Sequence, residues 1–60
     1  MKFKPGNIIR NKNKKYTSLY FILQTNCKIP FYENYCYFVY DYQDHKVKHL
    51  ITADCHFETI

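Results

Sequence analysis

The apolar residues of this chain fall into short runs of strand length whose side chains sort onto two faces at a period of two, and nowhere does a helical period of 3.6 persist for two turns. Pro5-Gly6-Asn7 predicts an opening turn, followed by a short strand over Ile8-Ile9-Arg10 and a polar loop from Asn11 to Lys15. Tyr16 to Cys27 reads as a long strand. Its odd positions Leu19, Phe21 and Leu23 make one apolar face, and Tyr20, Ile22 and Gln24 make a second face that is only partly polar. A strand of that kind is expected to be covered on both sides for part of its length. Pro30 cannot donate to a ladder, so Asn26 to Pro30 predicts a break, with Glu33-Asn34 as the hairpin turn beyond it. Tyr35 to Tyr42 is the strongest strand, almost wholly aromatic and β-branched. Gln43 to Lys46 predicts the next turn and Val47 to Ile51 the next strand. Thr52-Ala53-Asp54-Cys55 reads as one 3₁₀ turn capped by the Thr52 hydroxyl, and Phe57 to Ile60 as a short last strand.

Four longer strands, one helical turn and a short closing strand predict an all-β, five-stranded barrel spanning residues 1–60 as a single domain. Closure would remove the edges that so aromatic a sheet would otherwise expose. A chain of 60 residues buries only about 60% of the surface its unfolded form exposes, which leaves a thin core and little room for a water-excluding catalytic cleft. Seven tyrosines and five phenylalanines stand against a single glycine. At roughly 150–250 Å² per ring, they exceed what so small a core holds, and some are expected on the surface.

The residues Phe3-Lys4-Pro5-Gly6-Asn7-Ile8-Ile9, with Ile51-Thr52-Ala53-Asp54-Cys55-His56-Phe57-Glu58 at the other end, resemble the opening and the final 3₁₀ turn and closing strand of the small SH3-like barrels. The usual Asp of the opening is Asn7 here, which keeps the turn chemistry. The resemblance implies little about activity, because that group includes readers of Pro-rich peptides and methyl-lysine, RNA- and ribosome-binding modules and many small bacteriophage proteins. Function itself has to come from the site. The chain lacks the Trp that lines a Pro-rich-peptide groove, so PxxP recognition is not expected. Its Lys-, Asn-, Ile- and Tyr-heavy composition suits an AT-rich coding sequence and hence a phage or mobile element.

Charge adds a second clue. Of nine basic residues, Lys2, Lys4, Arg10, Lys12, Lys14 and Lys15 fall in the first fifteen positions, where there is no acid. Lys4, Arg10, Lys12, Lys14 and Lys15 are candidate phosphate contacts for a nucleic-acid partner. The alternative is protein binding, because interfaces favour Tyr, Phe and Arg. Tyr20, Tyr32, Tyr35, Tyr37, Tyr40 and Tyr42 are the candidates, with Phe38 and Tyr40 or Val39 expected to point inward. We read docking on a protein partner, as an adaptor or inhibitor, as the leading function; nucleic-acid binding is second, and self-association is compatible with the first.

Other constellations point to no chemistry. Cys27, Cys36, His45 and His49 have neither the paired-knuckle spacing nor the helix that a zinc site needs. Cys55 beside His56 and Asp54 lacks an orienting third group and an oxyanion donor. Cys27, Cys36 and Cys55 are expected as free thiols packed on strands, and Asp41 and Asp44 as a solvated turn pair. No cofactor, metal or catalytic residue is expected. The N-terminus lacks an apolar signal segment and no run reaches the ~18 residues of a membrane span, so a cytoplasmic protein is expected.

Overall fold

The computed structural model describes residues 2–31, 35–50 and 54–60. It contains β1 (Ile8–Asn11), β2 (Leu19–Lys28), β3 (Tyr35–Asp41), β4 (Lys46–Leu50), a single 3₁₀ turn (Asp54–His56) and β5 (Phe57–Thr59). All pairings are antiparallel, and the strands lie in the order β4-β3-β2-β1-β5. The all-β class, the five strands and the 3₁₀ turn before the last one agree with the sequence pattern. The closed barrel does not form: β4 and β5 end the ladder at opposite sides, and β5 spends its three residues pairing β1 through Ile9–Thr59, Arg10–Glu58 and Asn11–Phe57.

The sheet nevertheless wraps around one core. Phe3, Ile9 and Phe57 from one end pack with Tyr37 and Val39 from the other, with Ile22 between them and Tyr20 and Leu50 at the margin. The wrapping originates in β2, whose register against β3 shifts between Ile22 and Gln24 and again between Gln24 and Cys27. Each shift is an extra residue on β2, and such bulges bend a strand and tighten its twist. Ile9, Ile22 and Val39 are wholly enclosed. Each contributes about 1.5–3 kcal/mol of burial.

Turn chemistry sets the strand ends. Lys4-Pro5-Gly6-Asn7 closes with Asn7 N–H donating to the Lys4 carbonyl at 3.0 Å. Gly6 sits at φ +93°, the third position of a type II turn behind a proline at the second. The long strand starts at Leu19, three residues later than the pattern predicts. The Asn11 and Asn13 side chains accept the backbone N–H of Asn13 and Lys15, and Tyr16 N–H donates to the Asn13 carbonyl, so the chain is still turning there. Tyr42 leaves the strand for the turn, where Asp41 Oδ1 accepts the N–H of Gln43 at 2.9 Å and of Asp44 at 3.3 Å. Tyr32, the Glu33-Asn34 turn, Ile51 and the Thr52 cap lie outside the described residues.

The inward face of β3 differs from expectation. Tyr37, Val39 and Asp41 point into the core, and Phe38 and Tyr40 lie on the other face. Polar partners decide this. The Tyr37 hydroxyl accepts the Phe3 N–H at 3.1 Å and donates to Asp54 Oδ1 at 2.6 Å, and Lys2 N–H donates to Asp54 Oδ2 at 2.9 Å. Asp41 is buried rather than solvated, with Lys48 Nζ 2.7 Å from Oδ2. Burial pushes the Asp41 carboxyl up, but the Lys48 ammonium and the two turn N–H groups outweigh it and hold it below the usual carboxylate range. Lys48 is raised in turn, first by its bond to Asp41.

Candidate functional site

Residues directly opposed in a ladder share a face, and the pairings Ile8–Phe21, Phe21–Tyr40 and Tyr40–Val47 therefore make one continuous row across β1, β2, β3 and β4. The row lies on the face away from the core. Leu19 and Leu23 flank Phe21 on β2, each 37% exposed, and Tyr42 continues beyond Tyr40. The Tyr40 and Tyr42 rings meet edge to face at 5.1 Å. Phe21, Leu23, Tyr40, Tyr42 and Val47 line a shallow, open hollow of about 360 Å³. Val47, half exposed on an edge strand, closes one side. At the other side Arg10 stands opposite both Leu19 and Glu58, and its Nε donates to Glu58 Oε2 at 2.9 Å. That pair is solvent-exposed and contributes little stability.

The basic loop adjoins this face without forming one patch. Arg10, Lys12, Lys14 and Tyr16 line a hollow of about 290 Å³ together with Leu19 and Glu58. Lys15 turns to a different hollow, with Tyr16, Tyr20 and Phe57. Lys4 belongs to the opening turn and lines neither. The loop is tied down by Lys12 N–H donating to the His56 carbonyl at 3.0 Å. Leu19 is thus the residue common to the apolar face and the cationic hollow.

The five described tyrosines among the six predicted to bind a partner separate into four situations. Tyr40 and Tyr42 lie on the apolar face. Tyr37 is a core residue, 1% exposed. Tyr20 is half-buried, its ring 6.0 Å from Phe57 and beneath Lys48 Nζ at 5.4 Å. Tyr35 is exposed but stands at the far end of the β2–β3 hairpin, with Lys28 Nζ 5.9 Å from its ring. Tyr32 is outside the described residues. Ile8, Phe21, Leu23 and Val47 complete the face, and a count of tyrosines does not find them. The signal was present in the doubly apolar pattern of Leu19 to Leu23.

The remaining candidates are dispersed. His45 occupies an exposed turn at φ 55°, and the His49 ring meets that of Phe38 at a tilt, 5.1 Å between centroids. Cys55 is exposed in the 3₁₀ turn and not packed on a strand, while Cys27 is half-buried and Cys36 buried; all three are free thiols. Asp54 is committed to Tyr37 and Lys2; burial pushes its carboxyl up, yet those hydrogen bonds hold it below the ordinary range. Among the described residues no group of three His, Cys, Asp or Glu side chains is placed to hold a metal, and no helix is long and apolar enough to cross a membrane. Compared with known protein families, curated proteins and solved structures, the chain finds no match.

Proposed function

We propose that this protein is a non-enzymatic docking module whose occupant is a partner protein presenting an apolar surface rimmed by acidic side chains. The observation that carries the reading is the row Ile8–Phe21–Tyr40–Val47, a charge-free aliphatic and aromatic stripe on the solvent side of the sheet. Apolar patches of more than a few hundred Å² on a small protein mark interaction sites. Leu19, Leu23 and Tyr42, each more than a third exposed, extend this one. The acidic rim follows from charge complementarity: Lys12 and Lys14 border the stripe through Leu19, and the chain carries a formal charge of +4. The lysines steer the encounter and the stripe supplies the hold. In such an arrangement the protein acts as an adaptor or as an inhibitor that covers its partner's surface. A relation to the SH3-like barrels, resting on the opening turn and the 3₁₀-plus-strand tail, and a bacteriophage source with cytoplasmic action are part of the proposal.

The test uses immobilised full-length chain and a cell extract, with and without nuclease, beside two variants. Val47→Glu with Tyr42→Ser introduces a charge and removes a ring at exposed positions, while Lys12, Lys14 and Lys15 all changed to Ala discharge the loop. The expected result is a nuclease-resistant protein whose affinity falls at least tenfold in the first variant, and whose association slows in the second with dissociation little changed. Capture that disappears with nuclease, or affinity that drops about 10³-fold between 50 and 200 mM salt as for roughly six phosphate contacts, would replace this reading with nucleic-acid binding.

A further inference from the structure

Cys27 on β2 and Cys36 on β3 stand directly opposite each other. The second bulge of β2 creates this opposition. Counting without a break from the Gln24–Phe38 pair would set Asn26 against Cys36, but the shift between Gln24 and Cys27, with Asn26 at φ 57°, brings Cys27 into register instead. Directly opposed residues of an antiparallel ladder have Cα atoms about 4.5–5.5 Å apart, inside the roughly 4.4–6.8 Å that a disulfide spans. The Cys36 thiol points at its neighbour, donating to the Cys27 carbonyl at 3.2 Å. The Cys27 thiol is turned toward Gln24 Oε1 at 3.7 Å and the Thr25 carbonyl at 3.9 Å.

We infer that Cys27 and Cys36 are a modification site, a dithiol that closes to a reversible cross-strand disulfide when a low-molecular-weight disulfide is the oxidant. Closure needs the Cys27 side chain to turn away from Gln24 and Thr25 toward Cys36. The two thiols differ in access, which orders the steps. Half-buried Cys27 meets the oxidant first: its thiolate attacks one sulfur of the small disulfide and expels one thiolate. Cys36 is enclosed, and burial pushes its thiol up, so it keeps its proton and stays inert until the mixed disulfide stands beside it. It then loses that proton, attacks the Cys27 sulfur and expels the second small thiol. The protein gives up two protons and two electrons, and the oxidant takes both to become two thiols. The product clamps the base of the hairpin tip, whose flanks carry the exposed rings of Phe31 and Tyr35. This inference is independent of what docks on the outer face.

The full chain, incubated with oxidised glutathione or with dithiothreitol and then alkylated, is digested with trypsin. Cleavage after Lys28 separates residues 16–28 from 29–46, so the disulfide appears as these two peptides joined and released on reduction. We expect that link in the parent chain and in Cys55→Ser, with a melting temperature roughly 10–20 °C above that of the reduced protein. Cys27→Ser, at a half-buried position, should melt near the reduced parent and show no gain on oxidation. A glutathione adduct persisting at Cys27, links that run through Cys55, or disulfides only between molecules would overturn the inference.

Discussion

Replacing Tyr37 by Phe removes one oxygen and leaves the ring volume in place, so its cost is a cost of hydrogen bonds rather than of a cavity. The hydroxyl is buried and joins three parts of the chain: it accepts from Phe3 N–H at 3.1 Å and donates to Asp54 Oδ1 at 2.6 Å. Without it the Phe3 N–H, on a residue only 3% exposed, is left unpaired. An unpaired buried donor costs about 1–3 kcal/mol, and a bond to a charged acceptor contributes about 1.5–3 kcal/mol. Asp54 is only partly buried and keeps the Lys2 N–H, so water recovers some of the second amount. The expected loss is about 3 kcal/mol, or a fall in Tm of roughly 10–20 °C for a domain of this size. That is a large share of the roughly 3–9 kcal/mol a chain of this length holds. Urea unfolding followed by circular dichroism measures it, and a double-mutant cycle with Asp54→Ala isolates the pair at about 1–2 kcal/mol. A Tyr37→Phe protein within 0.5 kcal/mol of the parent, or a cycle that closes to zero, would refute the tie. Binding is expected to survive the substitution, because this tyrosine does not reach the outer face.

Asp41→Asn leaves the turn acceptor in place but removes the charge facing Lys48, and it should cost about 2–3 kcal/mol by urea titration, at or below the low end for a broken buried pair because Lys48 is one-third exposed. The folded carboxyls of Asp41 and Asp54 both lie below their ordinary value of 3.8, so the stability they contribute is present above pH 4 and lost as pH falls through their folded values. Lys48 and Tyr37 are raised, so their contributions are present below about pH 10 and lost as pH rises through their folded values. Melting curves from pH 2 to 11 should therefore fall at both ends, with the acid limb shallower in Asp41→Asn; an unchanged limb would contradict the pairing. His45→Gly, at φ 55° in an exposed turn, should stabilise by about 1 kcal/mol by relieving left-handed strain; a destabilised variant would show that its imidazole has a structural role.

The elements were legible because their residues leave few alternatives: Tyr35 to Tyr42 is almost all strand-forming, and Pro5-Gly6 has one natural turn. Which way the strand faces was not legible, since Tyr-Cys-Tyr-Phe-Val-Tyr puts an aromatic on either side. The choice fell to two polar atoms whose partners lie well along the chain, Asp54 for Tyr37 and Lys48 for Asp41. An aspartate next to a turn reads as solvated unless the cross-strand neighbour is known. The open ladder was equally hidden, because whether β4 meets β5 depends on curvature set by two bulges, and no residue type announces a bulge in so apolar a strand. For the site, exposure of aromatic rings followed from arithmetic, but their positions followed only from register.

The doubly apolar character of β2 leaves its alignment underdetermined by greasiness alone. A shift by a single position would swap Tyr20 and Ile22 for Leu19, Phe21 and Leu23 beneath the sheet at little hydrophobic penalty. Discrimination between the two alignments therefore falls to what β2 itself touches: the Ile22 backbone, bonded to Gly6 and Asn7, and the Tyr20 ring, packed on Phe57 beneath Lys48. Tyr20→Leu is expected to lose uniqueness as well as stability, sampling a second arrangement with the two faces of that strand exchanged.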